Sequence, residues 1–400
     1  MTDTLATHPA PERVPDAPEL HIGALPSDPA ADTTQLLELA SALRGEAPRV
    51  LGFPGNLAFD FSDLGPTLSI LTNNVGDPAS TDASGIHTKP YEQAVVRFLA
   101  EMAGAHPDDT YGYVTTGGTE GILFGLATAR RHLPYATVYT SDQAHYSVAR
   151  AAKLLGQQVV TLPSNRDGTL DSDSLRVTAF LHRRLRPHAG RGPGAIVVAT
   201  IGTTMRGAYD DVTALRTAAS AAGEVYIHAD AASGGPIAAH APSRPRWNFQ
   251  HGSDSISISG HKIIGSPVPC GVVLTRKDLV DEPVIASEYT MASARTLGCS
   301  RSGLAPLLLW SALRRMGHAG LGAHITRCLE TAQYAADQLT RAGVHPMRTT
   351  DSLTVTFDRP ADWIIRKWHL AIQGHTAHLV TVGHVTRSAI DELCHDLRTP

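Results

Sequence analysis

The sequence predicts an α/β protein: a large domain built on a mostly parallel sheet, followed by a smaller α+β domain. Two observations predict it. Between about residues 110 and 275, short β-rich runs alternate with helical segments, the pattern of strands joined by crossover helices. From about residue 300 the alternation stops, and long helical stretches lead into two separate strands.

The elements follow in order. Residues 1–50 form an N-terminal arm whose first thirty residues, rich in Pro, Ala and Asp, are expected to be extended or disordered. Asp32-Thr33-Thr34 ahead of Leu36, Leu37, Leu39 and Leu43 gives the cap and spacing of an amphipathic helix at 33–44. The large domain spans 51–298. In it, Tyr111–Thr115 is a strand that ends at Gly117-Gly118, and a helix runs from Thr119 to Arg131. Strands follow at 137–140, 159–162, 195–200, 225–229, 255–258 and 272–274, with helices at 146–155 and 211–222. The C-terminal domain, 299–400, has helical stretches at 304–316 and 323–342 and strands at 352–357 and 377–382.

Composition narrows the function. The net charge is −4, and arginine far outnumbers lysine without gathering into a basic stripe. Neither a nucleic-acid face nor a polybasic membrane patch is expected. No apolar run approaches the length of a membrane span, and the polar, Pro/Ala-rich N-terminus does not read as a signal peptide. Cys270, Cys299, Cys328 and Cys394 are widely spaced, as expected of reduced thiols in a cytoplasmic protein. The histidines show no tight ligand spacing, so no metal site is expected.

The chemistry starts at Ser259-Gly260-His261-Lys262. Of the five lysines, Lys262 alone lacks an obvious surface setting, since it lies between two apolar, β-rich runs. Upstream, Asp230 ends the strand of His228-Ala229-Asp230-Ala231-Ala232. A buried carboxylate needs a partner. A lysine at the end of one strand, downstream of an aspartate at the end of another, suggests a site for pyridoxal phosphate. The lysine forms the Schiff base, and the aspartate keeps the pyridine nitrogen protonated. Gly117-Gly118-Thr119-Glu120-Gly121 opens a helix where amides and dipole favour a phosphate. Ala232 is small enough to pack under a flat ring. His145 follows a strand and can stack on the other face, and Thr203 lies where a hydroxyl can reach the ring oxygen. All these segments fall at or just beyond C-terminal strand ends, where open α/β sheets bind ligands.

Taken together, the motifs resemble those of the bacterial pyridoxal-phosphate-dependent histidine decarboxylases and the related plant serine decarboxylases. They are Asn73–Pro78, Tyr111–Gly121, His145–Ala149, Gly202–Ala208, His228–Ala232, and Ser259–Lys262 with Pro269-Cys270-Gly271. The likeness runs from about Gly52 to Thr386. It implies a fold-type I architecture, a homodimer with active sites at the subunit interface, and α-decarboxylation of an L-amino acid. By the resemblance Lys262 carries the cofactor, Asp230 pairs its ring nitrogen, His145 stacks on the ring, and Gly118, Thr119, Ser259 and His261 lie near the phosphate. Two departures touch the expected substrate wall. Leu304 stands where the family commonly has a histidine, and Ser84-Gly85 stands where it commonly has Tyr-Gly. Ser352 matches a family serine on the substrate side, and Tyr289 is a candidate proton donor on a loop. The expected substrate is therefore histidine or another polar or small amino acid. The same scaffold also supports transamination, decarboxylation-dependent oxidation and carbon–carbon bond formation. A non-catalytic relative would have no need of Lys262 and Asp230.

Overall fold

The computed structural model describes residues 14–185, 193–282, 285–293 and 295–398. The first thirteen residues of the expected arm thus lie outside the described part. Helix α1 (Pro29–Glu46) begins where the Asp28 carboxylate accepts from Ala30 N at 3.0 Å, with Pro29 in the first turn. It starts four residues before the expected helix. None of its residues is buried, and Leu36, Leu37, Leu39 and Leu43 are all exposed.

Helix α2 (Lys89–Met102) and strand β1 (Thr110–Thr115) lead into α3 (Gly118–His132). There follow β2 (Thr137–Ser141), α4 (Ser147–Leu154), β3 (Val159–Leu162), α5 (Ser172–Leu185), β4 (Ala195–Thr200), α6 (Val212–Ala219), β5 (Val225–Asp230) and α7 (Gly234–His240). Strands β6 (Ser255–Ser259) and β7 (Gly271–Arg276) complete a seven-stranded sheet of order β1-β7-β6-β5-β4-β2-β3. Only β7 is antiparallel to its neighbours, so the sheet is mostly parallel, as expected.

Both faces of the sheet are covered, and the strand sequences show it. Along β4, Val197 and Ala199 join one apolar cluster with Leu99, Ile227 and Leu309. Ile196 and Val198 point the other way, into a cluster with Ile122, Leu126 and Val148.

A short hairpin, β8 (Ile285–Ser287) and β9 (Ala292–Ser293), precedes the long α8 (Leu304–Arg341). The two helical stretches expected here are one element, interrupted at Gly317, where φ is 60° and ψ −175°. Then come β10 (Thr354–Asp358), α9 (Asp362–Lys367), β11 (Ala371–Gln373), β12 (Thr376–Val380) and α10 (Arg387–Arg398). The last strands form an antiparallel sheet of order β10-β12-β11. Trp368 Nε1 donates to the Asp396 carboxylate at 2.7 Å, which ties α9 to α10.

One sequence expectation is corrected. Lys262 is not alone in lacking a surface setting, because Lys89 is only 2% exposed. Its ammonium lies 3.0 Å from the Asp82 carboxylate and donates to Ser80 O at 2.8 Å. Burial alone would raise the Asp82 carboxyl, but hydrogen bonds from Ser84 and Lys89 bring it down to about 2. Lys89 is thus a buried structural cation whose charge is neutralised in place.

Candidate active site

Five parallel strands, β1, β2, β4, β5 and β6, point their C-terminal ends toward one cavity of about 520 Å3. That is ample for a ligand of cofactor size. The strand ends deliver the expected residues. Gly117, Gly118 and Thr119 follow β1, His145 follows β2, Thr203 follows β4, Asp230 and Ala232 close β5, and Ser259, His261 and Lys262 close β6. All of them line the cavity.

Lys262 lies in the five-residue turn Gly260–Ile264. The turn is pinned from outside: Asn56 N donates to Lys262 O at 3.1 Å, and Asn56 Nδ2 donates to Ile263 O at 3.2 Å. Burial lowers the Lys262 ammonium from its ordinary value, and Asp230 opposes the shift only in part. The carboxyl of Asp230 is displaced the other way. Burial raises it, and Lys262, the Ala232 amide and His145 pull back. A lysine whose ammonium is lowered from its ordinary value by burial loses its proton more readily, and the free amine is the nucleophile toward an aldehyde.

His145 Nδ1 lies 2.7 Å from Ser147 Oγ and 3.3 Å from Ser147 N, leaving Nε2 as the unengaged ring nitrogen. Burial and the Lys262 charge lower its pKa, against a smaller pull from Asp230. His261 is also lowered by burial, and its Nδ1 lies 2.9 Å from Cys270 O.

Four features fit these residues to pyridoxal phosphate. Helix α3 begins at Gly118 without a side-chain cap, so first-turn amides face the cavity. The glycine there leaves a cradle, since a Cβ on Gly118 would stand 3.1 Å from Ser259 Oγ and 3.5 Å from Ala232 Cβ. The Asp230 carboxylate, nearly fully buried, accepts a hydrogen bond from Ala232 N at 3.2 Å and has capacity for a cationic ring nitrogen. The buried Thr200 Oγ1, also on the wall, has no protein partner.

Of the expected substrate residues, Ser352 lines the cavity, while Ser84, Tyr289 and Leu304 do not. The Ser352 hydroxyl is already engaged: it lies 3.2 Å from Arg206 O and accepts from Thr354 N at 2.9 Å. Ser84 is exposed, Tyr289 is 84% exposed, and Leu304 opens α8 away from the cavity. The first two lie close together in space, because Ala83 N donates to Thr290 O at 3.0 Å.

Sequence reading did not single out Phe53, Pro54, Tyr209, Leu353, His378 and Val380, which also line the cavity. Phe53 and Pro54 arrive because the preceding segment pairs with the C-terminal region. Gly52 N donates to His369 O at 3.1 Å, and Val380 N donates to Leu51 O at 2.7 Å. A side chain at Gly52 would put its Cβ 2.1 Å from Ala371 N, so the close approach requires glycine. The glycine before Phe53-Pro54 was the one local signal available.

The pyridoxal-dependent decarboxylase conserved domain matches residues 70–355. The histidine decarboxylase of Pseudomonas entomophila is 36% identical over 352 residues, covering 87% of this chain and 85% of that protein. Serine decarboxylase 3 of Oryza sativa subsp. japonica is 39% identical over 350 residues, covering 86% and 76%. In fold, the chain superimposes on L-methionine decarboxylase from Streptomyces sp. 590 with a TM-score of 0.86 at 22% identity, over 97% of this chain and 98% of that one. With these relatives and this cavity, the chain belongs to the pyridoxal-dependent decarboxylases and is a pyridoxal-phosphate-dependent amino-acid carboxy-lyase.

Proposed function

We propose that this chain decarboxylates a neutral L-amino acid of small to medium size, histidine and serine among the candidates, with Lys262, Asp230 and His145 as its working groups. The observation that carries the proposal is the pairing of a half-buried lysine with a buried aspartate in one cavity at the strand ends. When bound, pyridoxal phosphate supplies the electron sink for the bond that breaks as carbon dioxide leaves.

The chain's own residues do the rest. Lys262 presents its amine to hold the cofactor and yields its place to the substrate amine. Asp230, once it faces a cation, is ionised and keeps a proton on the ring nitrogen. His145 stays neutral, covers one ring face, and offers Nε2 for proton handling above it. Gly117, Gly118, Thr119, Ser259 and His261, which line the cavity, would hold the phosphate, and Ala232 and Thr203 would contact the ring and its oxygen.

Neutral substrates are favoured by the wall. No arginine lines the cavity, and the Glu120 carboxylate is taken up by Thr116 N and Thr116 Oγ1 at 2.7 and 2.8 Å. The wall opposite the strand ends mixes apolar Phe53, Pro54, Leu353 and Val380 with uncharged hydroxyls of Tyr209 and Thr354 and with His378.

A cytoplasmic homodimer accompanies this reading. The bare leucines of α1 and the adjacent exposed loops of Ser84 and Tyr289 support a second copy that covers them. In that dimer Ser84, Tyr289 and Leu304 border the partner's substrate pocket. Among the described residues no helix is long and apolar enough to cross a membrane.

A screen of neutral and charged amino acids tests the function. Carbon dioxide and amine should appear in equal amounts from a neutral substrate. Ammonia, a ketone product, or oxygen uptake without amine would overturn the proposal.

A further inference from the structure

A second cavity, of about 610 Å3, opens between the large sheet's loops and the C-terminal region. Its wall carries Arg166, Arg206, Arg244, Arg246 and Arg348, against only Asp167 and Asp211. Both carboxylates are engaged locally. Asp211 caps α6 by accepting from Ala214 N at 3.0 Å, and Asp167 accepts from Thr169 N and Oγ1 at 3.0 and 2.7 Å. Among the described residues, no carboxylate lies within 4 Å of any of the five guanidinium groups.

Two of the arginines are held in place. Arg206 Nη1 donates to Arg166 O at 2.7 Å, and Arg348 donates from Nε to Ser352 O at 2.7 Å, from Nη1 to Gln333 Oε1 at 2.9 Å and from Nη2 to Leu329 O at 3.4 Å, which leaves it one further N–H on each terminal nitrogen. The rim is fixed where Ser243 N donates to the Asp351 carboxylate at 2.8 Å. Arg244 and Asp351 both sit in the left-handed region, at φ 49° and 54°, which non-glycine residues adopt rarely. Arg166, Arg244 and Arg246 are exposed on this wall, and a multiply charged anion can accept forked guanidinium bonds from several of them at once.

We propose that this cavity binds a compact polyanion bearing two or more phosphate or carboxylate groups. The anion bridges the large-domain arginines to Arg348 of the C-terminal region. The site adjoins the active site through shared parts. Arg206 O accepts from Thr349 Oγ1 at 2.7 Å and lies 3.2 Å from Ser352 Oγ, and Tyr209 lines both cavities. Occupancy therefore bears on the loop Thr203–Gly207 and on the Ser352 wall, and shifts KM for the amino acid more than kcat. This last consequence rests on the decarboxylase reading of the site, whereas the binding does not.

The test is calorimetric titration of the cofactor-saturated enzyme with pyrophosphate and, separately, with citrate. Saturating the cofactor keeps the probes out of the phosphate subsite. At least one probe should bind once per chain, and the double variant R244Q/R246Q should weaken it about tenfold or more. Preference for pyrophosphate or for citrate identifies the class of the natural anion. Neither Arg244 nor Arg246 lines the active-site cavity, so activity without anion should be unchanged in the variant. R166Q provides an independent second removal of charge. The proposal is overturned if neither probe binds saturably, or if both variants bind as tightly as the parent.

Discussion

Gly118 and Ser259 face each other so closely that a methyl group on Gly118 would stand 3.1 Å from the serine Oγ. The gap between them is where the first turn of α3 meets the end of β6. Gly118→Ala should fold normally but crowd the phosphate subsite. The cofactor's dissociation constant should rise about tenfold, or about 1.4 kcal/mol. Fluorescence or absorbance titration of the apoenzyme reads this directly, and unchanged affinity would place the phosphate elsewhere.

Asp230 is the nearly fully buried carboxylate of the cavity. Asp230→Asn keeps its shape and removes its charge, so the ring nitrogen loses the partner that holds its proton. Cofactor binding should persist while kcat falls about a hundredfold or more. A loss below about threefold would remove Asp230 from the mechanism.

His228, two residues before Asp230 on β5, is fully buried between Ser255 Oγ at 2.7 Å and Ser257 Oγ at 3.2 Å. Burial pushes its pKa down to about 3. The folded value lies below the unfolded one of about 6.5, so the unfolded chain takes up the proton first. Stability from His228 is therefore complete above about pH 6.5 and is lost as pH falls toward 3. The slope is about 1.4 kcal/mol per pH unit. Unfolding at pH 6.5 and 5 should show His228→Gln losing about 2 kcal/mol less than the parent over that interval. Equal losses would mean that His228 is not held neutral.

Glu92 and Arg301 form a buried ion pair, and Glu92 also accepts from Asn74 Nδ2 at 2.8 Å and Val114 N at 2.7 Å. The pair joins α2 to β1 and to the segment before α8. Glu92→Gln leaves the Arg301 charge uncompensated and should destabilise the fold by about 3 kcal/mol. Thermal unfolding with cofactor present checks this, and a change under about 0.5 kcal/mol would contradict it.

The sheet and the cofactor side of the cavity were legible because they are local. Each strand end carries its residue within a few positions, as Asp230 does on β5 and Lys262 just beyond β6. The opposite wall was not legible. Phe53, His378 and Val380 meet only because the segment at 51–52 pairs with residues more than three hundred positions away. Helix α2 was missed, and with it the buried pair of Lys89 and Asp82, since a lysine looks the same in sequence whether paired inside or solvated outside. The break in α8 was read correctly in place, yet it proved to be a single glycine, Gly317, rather than a connecting loop. Ser84 and Tyr289 stand outside the chain's own cavity, on exposed loops that meet where Ala83 N donates to Thr290 O at 3.0 Å.

The most direct test is to reduce the cofactor-loaded enzyme with borohydride, digest it and locate the modified lysine by mass spectrometry. The chain offers two candidates away from the open surface, the half-buried Lys262 in the cavity and the buried Lys89 beside Asp82. The expected result is one pyridoxyl group per chain, on Lys262, with loss of the visible band. A label on Lys89, or no label at all, would contradict the assignment of this cavity.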